Sequence, residues 1–211
     1  NEVVRSIEQA GGTAIFVKAD VTDPAQVKEL FERIRTETDG LDVLVNCAGG
    51  VIGNDDFFKA TSEDVLTSFK ANFFSAFYCS QEAATLIKEG AIVNVGSVCG
   101  LEQTPVGESY TVPLYGAAKA ALHNLNQNMA QLLAPSIRVN AVLPGYTSTP
   151  GWGDEGALKS AEHDLGGQPL RGCFGTPEEI ADVIYLLATN ANMTGSLVVA
   201  DGGLMVKDKK G

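Results

Sequence analysis

The chain has 211 residues, 15 basic and 26 acidic side chains, a net charge of −11 and 45% apolar residues. That length and apolar fraction imply one globular domain with a sizeable core, and no apolar run reaches the ~20 residues of a membrane-spanning helix. The acidity argues against ligands held by clustered Lys and Arg, so neither nucleic acid nor an anionic membrane surface is an expected partner. Cys47, Cys79, Cys99 and Cys173 form no CxxC pair, and His123 and His163 stand alone. No metal site is therefore expected, and the cysteines read as reduced thiols of a cytoplasmic protein.

In chain order, the first residues look like the end of a helix, and Ala14–Ala19 reads as a β-rich run ending at Asp20. Asp23-Pro24 supplies an N-cap and a proline at the first helical position. Val27, Leu30, Phe31 and Ile34 then lie on one helix face, which Gly40 closes. A strand is expected at Asp42–Asn46, followed by a helical region from about Ser62 to Glu89. Further strands are expected at Ala91–Val95 and Ile137–Val142, flanking a helix from about Leu114 to Leu133. The weakly periodic stretch from Tyr146 to Gly175 reads as an irregular excursion. Thr176-Pro177-Glu178-Glu179 is a capping box opening a helix whose buried face is Ile180, Val183, Ile184 and Leu187, and Leu197–Ala200 is the last strand. This alternation predicts an α/β fold: a doubly wound parallel sheet, Rossmann-like, in three α/β/α layers, as a single domain over residues 1–211.

In such sheets the ligand sits beyond the C-terminal strand ends. Those ends carry Asp20, then Asn46-Cys47-Ala48-Gly49, then Ser97, then Pro144-Gly145. Ala48 and Gly49 are small enough for a flat ligand to approach the backbone, and Asp20 can accept hydrogen bonds from it. Tyr115 and Lys119 stand at i and i+4 on the predicted helix, hence on one face. A tyrosine with a pKa of ~10 is a poor base at neutral pH, but a neighbouring ammonium favours the phenolate. The pair suits proton exchange with a hydroxyl or carbonyl group. Tyr110 has no such partner, since position 114 is leucine.

Asn46-Cys47-Ala48-Gly49, Ser97, Tyr115-xxx-Lys119 and Pro144-Gly145-xxx-Thr149 occur in this order along the chain. The pattern resembles the short-chain dehydrogenase/reductase family, as do Arg171–Ala181 and Thr194–Gly203, so the resemblance spans the whole chain. It implies hydride transfer between NAD or NADP and an alcohol or ketone. Tyr115 would be the general acid/base, and Lys119 would tune it and bind the nicotinamide ribose. Ser97 would bond the substrate oxygen, and Asn72 would hold a water of the proton relay. Asp20 and the Val21 backbone would contact adenine, while Asn46, Ala48 and Gly49 would line the adenine-ribose side. Pro144, Gly145, Thr147 and Thr149 would face the carboxamide and phosphate ends. Trp152 stands in the excursion as a candidate substrate-lid residue. The family habit of pairing the helices that carry Asn72 and Tyr115 implies a homodimer or homotetramer.

The chain departs from the pattern in several places. The stretch between Ser97 and Tyr115 is several residues longer than usual, the excess lying in Glu102–Val112, expected as a loop over the active site. Cys47 stands where a second asparagine is commoner. No glycine-rich phosphate loop precedes Asp20, and the residue that decides between NAD and NADP would follow a strand not present here. The first strands of the sheet are thus expected to be missing, and the chain to be part of a protein of about 250 residues. Two alternatives stay open at this point: a catalytically silent scaffold or nucleotide-binding protein of the same fold, and a lyase or epimerase built on it.

Overall fold

A computed structural model gives the fold and describes residues 2–101 and 111–206. Four parallel strands, β1 (Val43–Asn46), β2 (Gly90–Val95), β3 (Ile137–Pro144) and β4 (Leu197–Ala200), form one sheet in the order β1-β2-β3-β4. Parallel strands need crossovers, and helices provide them. The helices are α1 (Glu2–Gln9) and α2 (Pro24–Glu37), which precede β1, and α3 (Ser62–Phe69), α4 (Ser75–Ala83), α5 (Pro113–Leu133), α6 (Glu155–Leu165) and α7 (Pro177–Thr189), which lie in the crossovers.

Helices cover both faces of the sheet because successive strand residues point to opposite sides. In β2, Ile92 packs with Val27 and Phe31 of α2, Cys79 and Ala83 of α4, and Met129 and Ala130 of α5. The next residue, Val93, packs on the other side with Leu187 of α7 and Val142 of β3. A third cluster at the C-terminal end of β3 joins Ala141 and Leu143 to Tyr146, Phe174 and Leu204. The capping signals hold: the Asp23 carboxylate accepts from Ala25 N at 2.9 Å, and Thr176 and Glu179 form a reciprocal capping box. The doubly wound parallel α/β arrangement is therefore as expected.

Three sequence expectations need correction. Ala14–Ala19 is not a strand; residues 12–20 have no regular secondary structure, and Ile15 and Phe16 are exposed. β propensity alone does not make a strand without a partner to complete the backbone bonds. Among the described residues the sheet ends at β1, whose Val45 is exposed. The long helix expected from Ser62 to Glu89 is instead α3, a π-helical turn at Lys70–Phe74, and α4, ending at Ala83. The irregular excursion from Tyr146 to Gly175 contains α6, capped by Asp154, whose carboxylate accepts from Ala157 N at 2.9 Å. Its pattern is hard to read because no residue of α6 is buried. Tyr110 and all but the end of the Glu102–Val112 stretch lie outside the described residues.

Candidate active site

The strand ends are held at fixed height by a chain of buried amides. Asn46 Nδ2 donates to Asn94 Oδ1 and Ser80 Oγ, both at 2.9 Å. Asn94 Nδ2 donates to Asn126 Oδ1 at 2.9 Å, linking β1 through β2 to α5. Asn140 completes the series by donating to Met193 O at 2.7 Å and accepting from Ser196 N at 3.1 Å. A buried amide left without its partner would cost about 1–3 kcal/mol, so this network fixes the elements against one another. Asn94, Asn126 and Asn140 escaped the sequence reading; an asparagine inside an apolar strand was the available signal for Asn94 and Asn140, while Asn126 on α5 had none.

Asn72 lies in the π-helical turn, fully buried, and its amide is committed to the turn after β1. Oδ1 accepts from Gly50 N at 2.9 Å, while Nδ2 donates to Gly50 O at 2.9 Å and Ser68 O at 3.0 Å. Gly49 passes so close that a Cβ there would lie 2.6 Å from Asn72 Oδ1 and 3.4 Å from Lys119 Nζ, and its φ of +144° also favours glycine. Irregular helical turns of this kind are often found at functional sites.

Lys119 is buried, and its Nζ donates to Val95 O at 2.8 Å. Burial pushes its ammonium down to about 8, opposed weakly by the nearby thiols of Cys47 and Cys99. The same nitrogen stands 5.6 Å from the centre of the Tyr115 ring. The face shared by positions i and i+4 is thus realised.

Ser97 is buried at the end of β2 in extended backbone, with Oγ accepting from Cys99 N at 3.1 Å. His123, one turn beyond Lys119, backs it up: its Nε2 accepts from Ser97 N at 3.4 Å. Burial, with a contribution from the Lys119 charge, pushes the imidazole down to about 4, so it is neutral at neutral pH. A Cβ on Gly96 would lie 2.5 Å from that Nε2, so the close seat of the imidazole depends on glycine.

The start of α5 carries a feature the sequence reading missed. Val112, its N-cap, offers no side-chain cap, and Pro113 has no N–H. The Asp55 carboxylate takes both open donors instead, from Leu114 N at 2.7 Å and Tyr115 N at 3.0 Å. A partner 60 residues away leaves no local sequence signal.

Ser97, Tyr115, Gly49, Pro144, Gly145, Thr149 and Trp152 line two adjoining cavities. One, of about 430 Å³, adds Lys119, Thr147 and apolar α7 residues including Ile180 and Ile184. The other, of about 260 Å³, adds Val51, Val98 and Val112. Trp152 is fixed by Nε1 donating to Thr147 O at 2.9 Å, and it forms an aromatic trio with Tyr146 and Phe174. The larger cavity offers a flat apolar wall beside a buried cation and a phenol, a donor set that fits a nicotinamide ring and its ribose.

Not every expected contact residue converges there. Asn46, Ala48 and Val21 line a separate apolar groove of about 230 Å³ beside β1 and α2, with Cys47 bordering both that groove and the larger cavity. Asp20 is exposed, and its Oδ1 accepts from Thr22 N at 2.9 Å and from Thr22 Oγ1 at 2.8 Å, which hold its carboxyl below the usual range.

A doubly wound sheet with a buried lysine beneath a tyrosine and a serine at its C-terminal rim defines a nicotinamide-dependent oxidoreductase of the alcohol–carbonyl couple. Residues 1–205 match the family model described as enoyl-(acyl carrier protein) reductase. The L-2,3-butanediol dehydrogenase of Corynebacterium glutamicum is 31% identical over 97% of this chain and 83% of its own length. The 3-oxoacyl-[acyl-carrier-protein] reductase FabG of Thermotoga maritima is 34% identical over 98% of this chain and 83% of its own. Among solved structures, a short-chain type dehydrogenase/reductase from Mycobacterium marinum superimposes with a TM-score of 0.87 at 30% identity, covering 98% of this chain and 81% of that one. The L-sorbose reductase of Gluconobacter frateurii, complexed with NADPH and L-sorbose, gives 0.85 at 27% identity over 98% and 82%. The chain belongs to the short-chain dehydrogenase/reductase family and is an NAD(P)-dependent enzyme.

Proposed function

We propose that the reaction is run by Tyr115, Lys119, Ser97 and Asn72 on a secondary alcohol or the corresponding ketone. The observation that carries this reading is the convergence of Ser97, Tyr115 and Lys119 on adjoining cavities at the sheet rim. The cofactor, when bound, supplies or accepts the hydride. Ser97 keeps its proton and donates a hydrogen bond through Oγ–H to the substrate oxygen, its Oγ accepting at the same time from Cys99 N. Tyr115 passes its phenolic proton to that oxygen during reduction and takes it back during oxidation. Lys119 favours the phenolate and binds the nicotinamide ribose. Asn72 holds Gly49 and Gly50 against Lys119 and stands in the proton relay.

Thr147 and Thr149 would hold the carboxamide and phosphate end of the cofactor, with Pro144 and Gly145 beside it. Asp20, Val21, Asn46 and Ala48 would border its adenosine end, Gly49 would pass from that side to the nicotinamide ribose beside Lys119, and Trp152 would cover the substrate. A homodimer or homotetramer is supported by apolar side chains left exposed on the helices around the site, including Leu66 and Phe77 with the stacked Phe73–Phe77 pair. No described helix is long and apolar enough to cross a membrane. A cytoplasmic location, with a small molecule as substrate and neither nucleic acid nor membrane as partner, is part of the same reading.

The test is to mix the protein with NADH or NADPH and a ketone and follow the near-ultraviolet absorbance of the reduced nicotinamide. The expected result is a fall that needs enzyme, cofactor and ketone together. A cofactor that raises the melting temperature without ever being oxidised by any ketone would contradict the reading.

A further inference from the structure

We infer that the substrate taken at Ser97 and Tyr115 is a compact, uncharged and largely apolar ketone or secondary alcohol, an inference that rests on the oxidoreductase reading above. The cavity of about 260 Å³ around these two hydroxyls has Val51, Val98, Val112, Trp152 and Leu204 among its walls, and no charged side chain lines it among the described residues. The polar ends of its aromatic residues are turned into the protein. Trp152 Nε1 donates to Thr147 O at 2.9 Å, and Tyr146 OH donates to Gln168 Oε1 at 3.1 Å. Beyond the two reacting hydroxyls, the described side chains offer a ligand only the hydroxyl of Thr149 and the thiol of Cys99, besides the backbone at Gly49, Gly50, Gly145 and Gly151.

A polyhydroxylated substrate would find few side-chain partners for its hydroxyls among the described lining, at a desolvation cost for each one left unpaired. A phosphate-bearing thioester fares no better. It needs Lys or Arg at the cavity, and among the described residues none lines it.

The experiment compares kcat/KM for cyclohexanone, L-sorbose and acetoacetyl-coenzyme A with the same reduced cofactor. The expected result is a preference for cyclohexanone of about 100-fold or more over both others, the size a hydrophobic pocket achieves against an added hydroxyl. A preference for the sugar or the thioester overturns this inference and leaves the oxidoreductase reading standing. Turnover of none of the three, with cofactor binding intact, counts against the reading beneath it and removes the inference as well.

A second inference stands on different geometry: the structure assigns Asp55 as a positioning residue for Tyr115. Its two carboxylate oxygens take the open N–H groups of Leu114 and Tyr115 at a helix end that has no local cap. A negative charge there also matches the positive end of the helix dipole. The loop that carries Asp55 is itself fixed, because Gly50 is held by Asn72 and Asn54 N donates to Asp64 Oδ1 at 2.9 Å. Asp55 therefore ties the tyrosine's backbone to the turn that borders Lys119.

Asp55→Ala is expected to lower kcat by about 10- to 100-fold, the cost of a small misplacement of a reacting group, with cofactor affinity unchanged. Asp55→Asn, which keeps an acceptor oxygen, is expected to recover part of the loss. If the alanine variant melts earlier but each folded molecule turns over at the wild-type rate, Asp55 is only a helix cap and the assignment fails. If Asp55→Ala does not fold, Asp55→Asn carries the same test, and a wild-type kcat for it together with unchanged melting overturns the assignment.

Discussion

Tyr115→Phe is expected to lower kcat by about 1,000-fold, within the range that a positioned general acid or base contributes, equivalent to about 4 kcal/mol of transition-state stabilisation. The change removes one oxygen and keeps the ring. Tyr115 is half-buried, and its helix is held at this end by Asp55 through backbone groups, so the fold should be untouched. The expected melting temperature is therefore that of the wild type, and the temperature rise on adding cofactor should persist. Steady-state kinetics combined with thermal shift checks both halves. A variant that keeps more than about a tenth of the wild-type kcat would place the proton transfer elsewhere.

Lys119→Met should separate activity from stability in opposite directions. Activity is expected to fall by about 100-fold or more, because the phenolate loses its neighbouring cation. Stability at neutral pH is expected to stay level or rise. An ammonium brought from a pKa of 10.5 in the open chain to about 8 in the fold costs about 3 kcal/mol when it is charged. Removing it leaves Val95 O without its donor, a loss of about 1–3 kcal/mol. The net gain is at most about 2 kcal/mol, or about 4–8 °C in Tm for a chain of this size. The pH dependence has a definite sign. Between pH 8 and 10.5 the unfolded chain binds a proton that the folded chain has released, so the wild type gains stability as pH rises through this window. Lys119→Met should lack that gain, and melting curves recorded from pH 7 to 10 decide it. A variant that is both inactive and strongly destabilised at pH 7 would show that Lys119 is structural. A residue that is costly to bury yet retained is what a stability–activity trade-off leads one to expect.

The parts of this molecule that were legible in its sequence are those set by local rules. The helix starts at Pro24 and Pro177 follow from Asp23 and Thr176, and β4 falls on Leu197–Ala200 as its apolar run suggests. Tyr115 and Lys119 meet because helix spacing places i and i+4 together. What stayed hidden depends on partners distant in sequence. Ala14–Ala19 has strand composition, yet no neighbour among the described residues completes its backbone bonds. Asp55 caps α5 across 60 residues, and Asn94, Asn126 and Asn140 are understood only once the strands lie side by side. That the Asn72 side-chain amide is taken up by Gly50 and Ser68, which leaves its backbone to serve the relay, is a fact of the folded chain alone. A side chain's hydrogen-bond inventory can be counted only after folding. His123 stands alone in the sequence, and only the fold shows its contact with Ser97 N, which makes it a support of the site.

The central claim is that hydride passes directly between substrate carbon and nicotinamide beside Tyr115. The most direct measurement supplies NAD or NADP with cyclohexanol deuterated at the carbinol carbon and determines the mass of the reduced cofactor. The account predicts that the reduced nicotinamide carries the deuterium and that Tyr115→Phe suppresses its formation. Release of the deuterium to water, or its exchange without any reduction of cofactor, would contradict the account and point to proton abstraction on the same fold.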